Sequence, residues 1–334
     1  MSFIASLPKA ELHVHHVGSA SMRTVAELAE RHAGSTTVPT DPEELARFFT
    51  FTDFAHFIEV YLGVVDLLRT PEDLWTLTYD VARDLAAQNV RYVELTCTPY
   101  TSIAVGISAE AYCEALEDAR RRAEADFGLT MRWIFDIPGE SGVPAADVTL
   151  DTALRLQPDG LVAFGLGGPE IGVPRPQFAP HFQQAVAAGL RSVPHAGEST
   201  GPETIWDSVN HLGAERIGHG ISAAQDPALM AYLAEHQIPL EVCPTSNVRT
   251  RSVPSMAEHP LPALVAAGVP VSINSDDPPM FGTTLNHEYE VAAGLLALDE
   301  PGLADLARAS VRHSFADEAT KATILAEIDA YSAS

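Results

Sequence analysis

Eight short runs of β-branched and other apolar residues, at 10–15, 90–96, 131–137, 161–166, 191–195, 216–219, 240–243 and 271–274, alternate with longer alanine- and leucine-rich amphipathic stretches. A strand followed by a crossover helix returns to the sheet parallel to its predecessor, so the alternation predicts a parallel α/β sheet. Eight such units make either a closed (β/α)8 TIM barrel or a doubly wound open sheet. The polar residues separate the two. Chemically capable side chains follow the C-terminal ends of most of the runs, the face on which barrel enzymes build their sites, whereas an open sheet gathers them at one switch point. No GxGxxG or P-loop pattern follows a strand. The expected fold is α/β, a TIM barrel spanning 1–334 as one domain.

One connection is anomalously long. Between the first and second runs, about 21–88, the chain has helical rather than strand periodicity, and a helical lid inserted after the first strand is expected there. Within it Phe54, Phe57, Ile58, Tyr61, Leu62, Val65 and Leu68 recur at helical spacing after a candidate cap at Thr52 or Asp53. That face either packs on the barrel or walls the pocket.

Composition narrows the partners. A net charge of −25 repels phosphate backbones and anionic membranes, and the 20 lysines and arginines form no basic stripe. No nucleic-acid or membrane partner is expected, and the acidity reads as solubility. No apolar run reaches the roughly 18 residues of a membrane span, and the N-terminus lacks a basic start followed by an apolar stretch, so a cytoplasmic location is expected. The 3 cysteines are scattered, which suits reduced core thiols.

The chemistry gathers at the strand ends. In His13-Val14-His15 the alternation of a strand turns both imidazoles to one face, half of a metal site; two histidines satisfied by hydrogen bonds alone are the alternative. The fifth run delivers His195-Ala196-Gly197-Glu198, an imidazole plus a carboxylate placed for acid–base work. The eighth ends in Asn274-Ser275-Asp276-Asp277-Pro278-Pro279, where two adjacent acids need a compensating cation. Zinc would compensate Asp276. Three imidazoles and a carboxylate leave a coordination position open for water, the arrangement of a catalytic zinc site. His219, between Gly218 and Gly220, is a candidate proton shuttle whose glycines let a ligand approach the backbone. In Gly165-Leu166-Gly167-Gly168-Pro169-Glu170 the bare backbone offers N–H donors to a flat heterocycle, or simply makes a tight turn.

In order and spacing these motifs (Pro8-Lys9-Ala10-Glu11-Leu12-His13-Val14-His15, His195-Ala196-Gly197-Glu198, Gly218-His219-Gly220 and Ser275-Asp276-Asp277-Pro278) resemble the adenosine deaminase family over almost the full length. The resemblance implies one zinc per chain held by His13, His15, His195 and Asp276. It implies Glu198 as the acid that protonates the purine ring nitrogen beside the attacked carbon, with His219 orienting and helping to deprotonate the water. Asp277 and the backbone of Gly168 would read the purine, with Ser246 and Asn247 of Cys243-Pro244-Thr245-Ser246-Asn247 as further substrate contacts. The partner implied is a small nucleoside, deaminated to its hypoxanthine counterpart with release of ammonia.

One position departs from the family pattern. Where adenosine-specific members carry an acid that reads the ribose 5′-hydroxyl, this chain has Val17 in His16-Val17-Gly18-Ser19, and valine accepts no hydrogen bond. The pattern is more similar to the aminodeoxyfutalosine deaminases of the futalosine route to menaquinone, with adenosine or adenine deamination as the alternative. A 5′-extended substrate ending in a benzoate needs apolar wall and a cation, for which Arg23, Arg175, Arg249 and Arg251 are candidates. Two readings from other classes weigh less. A binuclear amidohydrolase needs a bridging lysine at the fourth strand's end, and the 2 lysines, Lys9 and Lys321, lie elsewhere. A non-catalytic zinc or nucleoside binder would have lost Glu198 or His219.

Overall fold

The computed structural model describes residues 2–51 and 54–333. Eight strands, β1 (Lys9–His15), β2 (Val90–Cys97), β3 (Thr130–Pro138), β4 (Leu161–Gly167), β5 (Arg191–Ala196), β6 (Ile217–His219), β7 (Leu240–Val242) and β8 (Val271–Ile273), form one sheet in sequential order, every neighbouring pair parallel. The sheet closes on itself. Val14 bridges to Asp276 in parallel, with His15 N–H donating to Asp276 O at 2.9 Å and Asp276 N–H donating to His13 O at 3.1 Å. The amide of Asn274 adds an acceptor for Leu12 N–H at 2.9 Å. This is the expected barrel.

Strands buried on both faces explain the near-continuous apolar runs in the sequence. Outward-facing residues such as Leu12, Val14, Leu240 and Val242 join the core between sheet and helices. Inside, a small separate cluster of Ile134, Ala163 and Val193 is packed by Phe315. Beside it the interior holds ions. Arg216 is 1 % exposed and pairs with Glu241 at 2.6 Å and with Glu94. Its guanidinium also donates to His313 O at 3.0 Å and lies 3.9 Å from the Phe315 ring centroid. Glu94 accepts two further bonds, from Tyr92 and from Phe315 N–H. Burial is tolerated because nearly every donor and acceptor in the group is matched.

The stretch between β1 and β2 is helical, and the structure divides it. Helix Pro71–Ala86, capped by a reciprocal Thr70–Asp73 box, packs beside helix Ala109–Phe127 and serves as the barrel's own first crossover. The added part is therefore the three helices Met22–Arg31, Pro42–Phe48 and Phe54–Val65. Phe57 is buried, while Leu62 is 56 % exposed and so leaves the apolar face expected from its spacing. The cap expected at Thr52 or Asp53 lies outside the described residues, as does the side chain of Phe54. Among the described residues no helix is long and apolar enough to cross a membrane.

Replacing Arg216 with Met strands two buried carboxylates. Denaturant unfolding of Arg216→Met is expected to show a loss of about 3–5 kcal/mol; an unchanged midpoint with an unchanged slope would show that the network carries no stability.

Candidate active site

Strand alternation places His13 and His15 on the interior face at the C-terminal end of β1. The Nδ1 of His13 bonds Glu241 Oε2 at 2.8 Å, which leaves its buried Nε2 with no hydrogen-bond partner. His195 donates from Nδ1 to Leu166 O at 2.9 Å, so its Nε2 carries a lone pair. That nitrogen stands 3.2 Å from His15 Nε2. Asp276 Oδ1 lies 3.3 Å from His15 Nε2 and 3.6 Å from His13 Nε2. His16, the next residue, is not part of this group. Its Nε2 bonds Thr78 Oγ1 at 2.9 Å, and burial pushes its pKa down to about 3.

These four side chains fit a metal ion. Ligand atoms about 2.0–2.1 Å from a tetrahedral centre stand about 3.3 Å apart, and here His15 lies 3.2 Å from His195 and 3.3 Å from Asp276, with His13 3.6 Å from Asp276. Electrostatics agree. Burial favours neutral rings, yet Asp276 and Glu241 push His13 up to about 10, so the pocket's field seeks a cation. The outer partners of His13 and His195 fix which nitrogen faces inward, as such partners do in metal sites. Cys243 also lies within reach of His13, His219 and Asp276. Burial and then Asp276 push its thiol well up, and the thiol donates to Glu241 O at 3.7 Å.

Gly218 has a different task from the one its sequence suggests. A Cβ there would stand 2.8 Å from His13 Cε1 and 3.1 Å from His195 Cγ, so the missing side chain makes room for the metal-facing histidines themselves. Two non-glycine residues at the site hold left-handed backbone, His219 at φ +59° and Asp276 at φ +66°. Such conformations cost energy and persist where the surroundings over-determine them.

Glu198 follows β5 on a loop that a second carboxylate holds. Glu170 is buried and accepts from Gly197 N–H at 2.8 Å, Glu198 N–H at 2.7 Å and Ser199 N–H at 3.0 Å, and from the hydroxyls of Thr200 and Thr204. Burial pushes the Glu198 carboxyl up from the usual carboxylate range. Thr250 Oγ1 donates to its Oε1 at 3.2 Å, and His219 Nε2 stands 3.6 Å from its Oε2.

Ser246 and Asn247, expected against substrate, are fully buried. Ser246 donates to Asp276 Oδ2 at 2.5 Å, and Asn247 bonds His219 Nδ1 at 3.1 Å. Asp277 stands next to Asp276, where burial and then that neighbour push it up to about 8. Gly18 lies on it so closely that a Cβ would sit 1.5 Å from Asp277 Oδ1. Val17, beside Gly18, is 9 % exposed in the turn after β1. Gly168 takes φ +77° just past β4, where a Cβ would meet the Glu140 carboxylate at 2.3 Å.

The four arginines also separate. Arg175 is buried with Glu170 at 3.9 Å, and Arg23 faces Asp84 at 3.2 Å and Asp80 at 3.7 Å. Arg249 ends the helix Pro244–Arg249 that carries Ser246 and Asn247, and its Nη2 is 3.7 Å from the place of a Cβ on Gly282. Gly282 follows Phe281, whose ring meets Phe57 of the lid at 5.0 Å and Phe51 at 6.1 Å. Arg251, two residues beyond Arg249, is exposed and holds left-handed backbone at φ +64°.

The sequence pattern of the family described as adenosine deaminase matches residues 8–331. The chain belongs to the adenosine deaminase family. An aminodeoxyfutalosine deaminase of Streptomyces avermitilis is 67 % identical over 334 residues, covering 99 % of this chain and 93 % of that protein. The crystal structure of adenine deaminase from Arthrobacter aurescens superposes with a TM-score of 0.92 at 34 % identity, covering 98 % of this chain and 100 % of that one. An amidohydrolase from Burkholderia ambifaria, crystallised with bound zinc, gives a TM-score of 0.89 at 26 % identity, covering 99 % and 93 %. The family is metal-dependent, and this member has a candidate metal site in His13, His15 and His195.

Sequence reasoning passed over Glu170 and Glu241. The signal was present for Glu241, an acid in the middle of a short apolar strand, which burial permits only with a partner.

Gly218→Ala is expected to fold but to displace His13 or His195. Its metal content after dialysis is expected to fall at least about tenfold, in the range seen when the partners of metal-binding residues are lost. Full metal retention would show that the glycine is not needed for ligand packing.

Proposed function

We propose that this member is a zinc-dependent aminohydrolase that converts aminodeoxyfutalosine to futalosine and ammonia, the whole chain acting as one barrel domain. The observation that carries the reading is the identity of 67 % to the Streptomyces avermitilis aminodeoxyfutalosine deaminase, against 34 % to the structurally similar adenine deaminase. Val17 supports it, since a valine side chain offers no acceptor to a 5′-hydroxyl.

His13, His15, His195 and Asp276 would hold one zinc ion. When bound, zinc acidifies a water and stabilises charge developing on the attacked carbon's oxygen. The chain supplies the rest. Glu198, held by Glu170 and raised by burial, gives a proton to the ring nitrogen next to the carbon that bears the amine. His219 faces the same space and orients the attacking oxygen. Asp277, kept neutral beside Asp276, donates to a second ring nitrogen, and the backbone at Gly168 borders the purine. The amine leaves as ammonia, and an oxo group takes its place.

The far end of the substrate is met by the rim. The Phe51, Phe57 and Phe281 rings would provide apolar wall, and Arg249, whose Nη2 comes near Gly282, would meet a carboxylate. A bidentate guanidinium suits that group.

Three outcomes are expected. Glu198→Gln should keep its zinc and lose roughly 10²- to 10⁴-fold in kcat; near-normal turnover would assign the acid elsewhere. For the unaltered enzyme, kcat/KM for aminodeoxyfutalosine should exceed that for adenosine or adenine by at least about tenfold, and Val17→Asp should narrow the gap with adenosine. Equal or better turnover of adenosine or adenine would overturn the substrate while leaving the deaminase chemistry in place. Arg249→Gln should raise KM for the carboxylate-bearing substrate by roughly tenfold and leave adenosine unaffected; an equal change for both would remove Arg249 from the carboxylate.

A further inference from the structure

We propose that His259 is a positioning residue that, through Asn247, fixes which ring nitrogen of His219 carries the proton. The proposal rests on His219 facing the reacting oxygen, as read above, and it specifies what that ring is able to do there.

The assignment starts from a group with only one role. Leu261 N–H donates to His259 Nδ1 at 3.1 Å, and a backbone amide cannot accept. His259 Nδ1 therefore bears a lone pair. Burial drops the pKa of His259 to about 4, so the neutral ring carries its single proton on Nε2. That nitrogen lies 3.2 Å from Asn247 Oδ1 and donates to it.

With its oxygen engaged by His259, the Asn247 side chain presents Nδ2 to His219 Nδ1 at 3.1 Å. An amide nitrogen only donates, so His219 Nδ1 is the acceptor. The remaining ring proton sits on Nε2, which faces Glu198 Oε2 at 3.6 Å and Asp276 Oδ2 at 3.8 Å, both acceptors. Each hydrogen bond in the chain fixes the next one. Asn247 is 0 % exposed, and turning its amide over would set Nδ2 against the His259 Nε2 donor, without water to relieve the clash.

The consequence concerns the reaction. A His219 ring with its proton on Nε2 and Nδ1 accepting from Asn247 has no lone pair directed at the attacking oxygen. It donates a hydrogen bond to that oxygen, and the water's proton goes instead to Glu198, which is a carboxylate once it has given its own proton to the ring nitrogen. This replaces the sequence expectation that His219 helps to deprotonate the water.

Nitrogen-15 NMR of the histidine rings, with His219 assigned by substitution, reads the tautomer directly. The unaltered protein should show His219 protonated at Nε2 and bare at Nδ1. Asn247→Asp, nearly the same size but an acceptor, should move the proton to Nδ1 and lower kcat at least about tenfold, with KM within about threefold and metal content unchanged. His259→Leu should also lose roughly tenfold in kcat, and His259→Gln, which retains a donor to Asn247 Oδ1, should recover most of it. A His219 that is protonated at Nδ1 in the unaltered protein overturns the proposal. So does an Asn247→Asp enzyme that keeps the Nε2 proton and normal kcat. If no ammonia is released by the unaltered enzyme, the functional reading fails while the NMR result still decides the tautomer.

Discussion

The seam between β8 and β1 holds this molecule together in two senses. A barrel needs its first and last strands to pair, and here the pairing runs through the backbone of His13, His15 and Asp276. The same residues send their side chains into the candidate metal site. Closure thus sets the separation of the ligands, and a cation on those ligands would in turn tie the seam. Glu11 reinforces the joint from below, accepting from the backbone and hydroxyl of Ser275. Fold and chemistry share one set of atoms.

From that seam a line of buried charge runs down the barrel axis. Glu241 takes His13 Nδ1 on one oxygen and Arg216 on the other, and Arg216 continues to Glu94. Removing a single member leaves a stranded charge, which is far more costly than replacing the whole set by apolar residues. The network's contribution therefore lies in orientation. A carboxylate on the outer nitrogen of an imidazole fixes its ring and makes the inner nitrogen a better ligand. Glu170 plays a comparable part for the acid, since three backbone donors and two hydroxyls on one carboxylate leave the loop carrying Glu198 little freedom.

How much of this the sequence discloses follows from the range of each constraint. Strand periodicity is local, so all eight strands and the inward pairing of His13 with His15 are legible, as is the placing of His195, Glu198, His219 and Asp276 at strand ends. Relations across the barrel are not local. Nothing near Gly218 in the chain says that its neighbours in space are His13 and His195 rather than a ligand. Nothing near Asn247 says that its amide faces His219 rather than substrate. The division of 21–88 into inserted helices and a true crossover depends on what Pro71–Ala86 packs against, which periodicity does not encode. The four arginines look equivalent as letters and differ only through Glu170, Asp84 and Gly282.

In the proposed site His13, His15, His195 and Asp276 converge on one cation while His219 and Cys243 stay outside its coordination. Anomalous diffraction from crystals of the metal-loaded protein, collected on both sides of the zinc edge, tests this most directly. One peak per chain is expected, within bonding distance of His13 Nε2, His15 Nε2, His195 Nε2 and Asp276 Oδ1. A peak bonded to Cys243 Sγ or His219 Nε2, or a second peak of equal height in the barrel mouth, would contradict it.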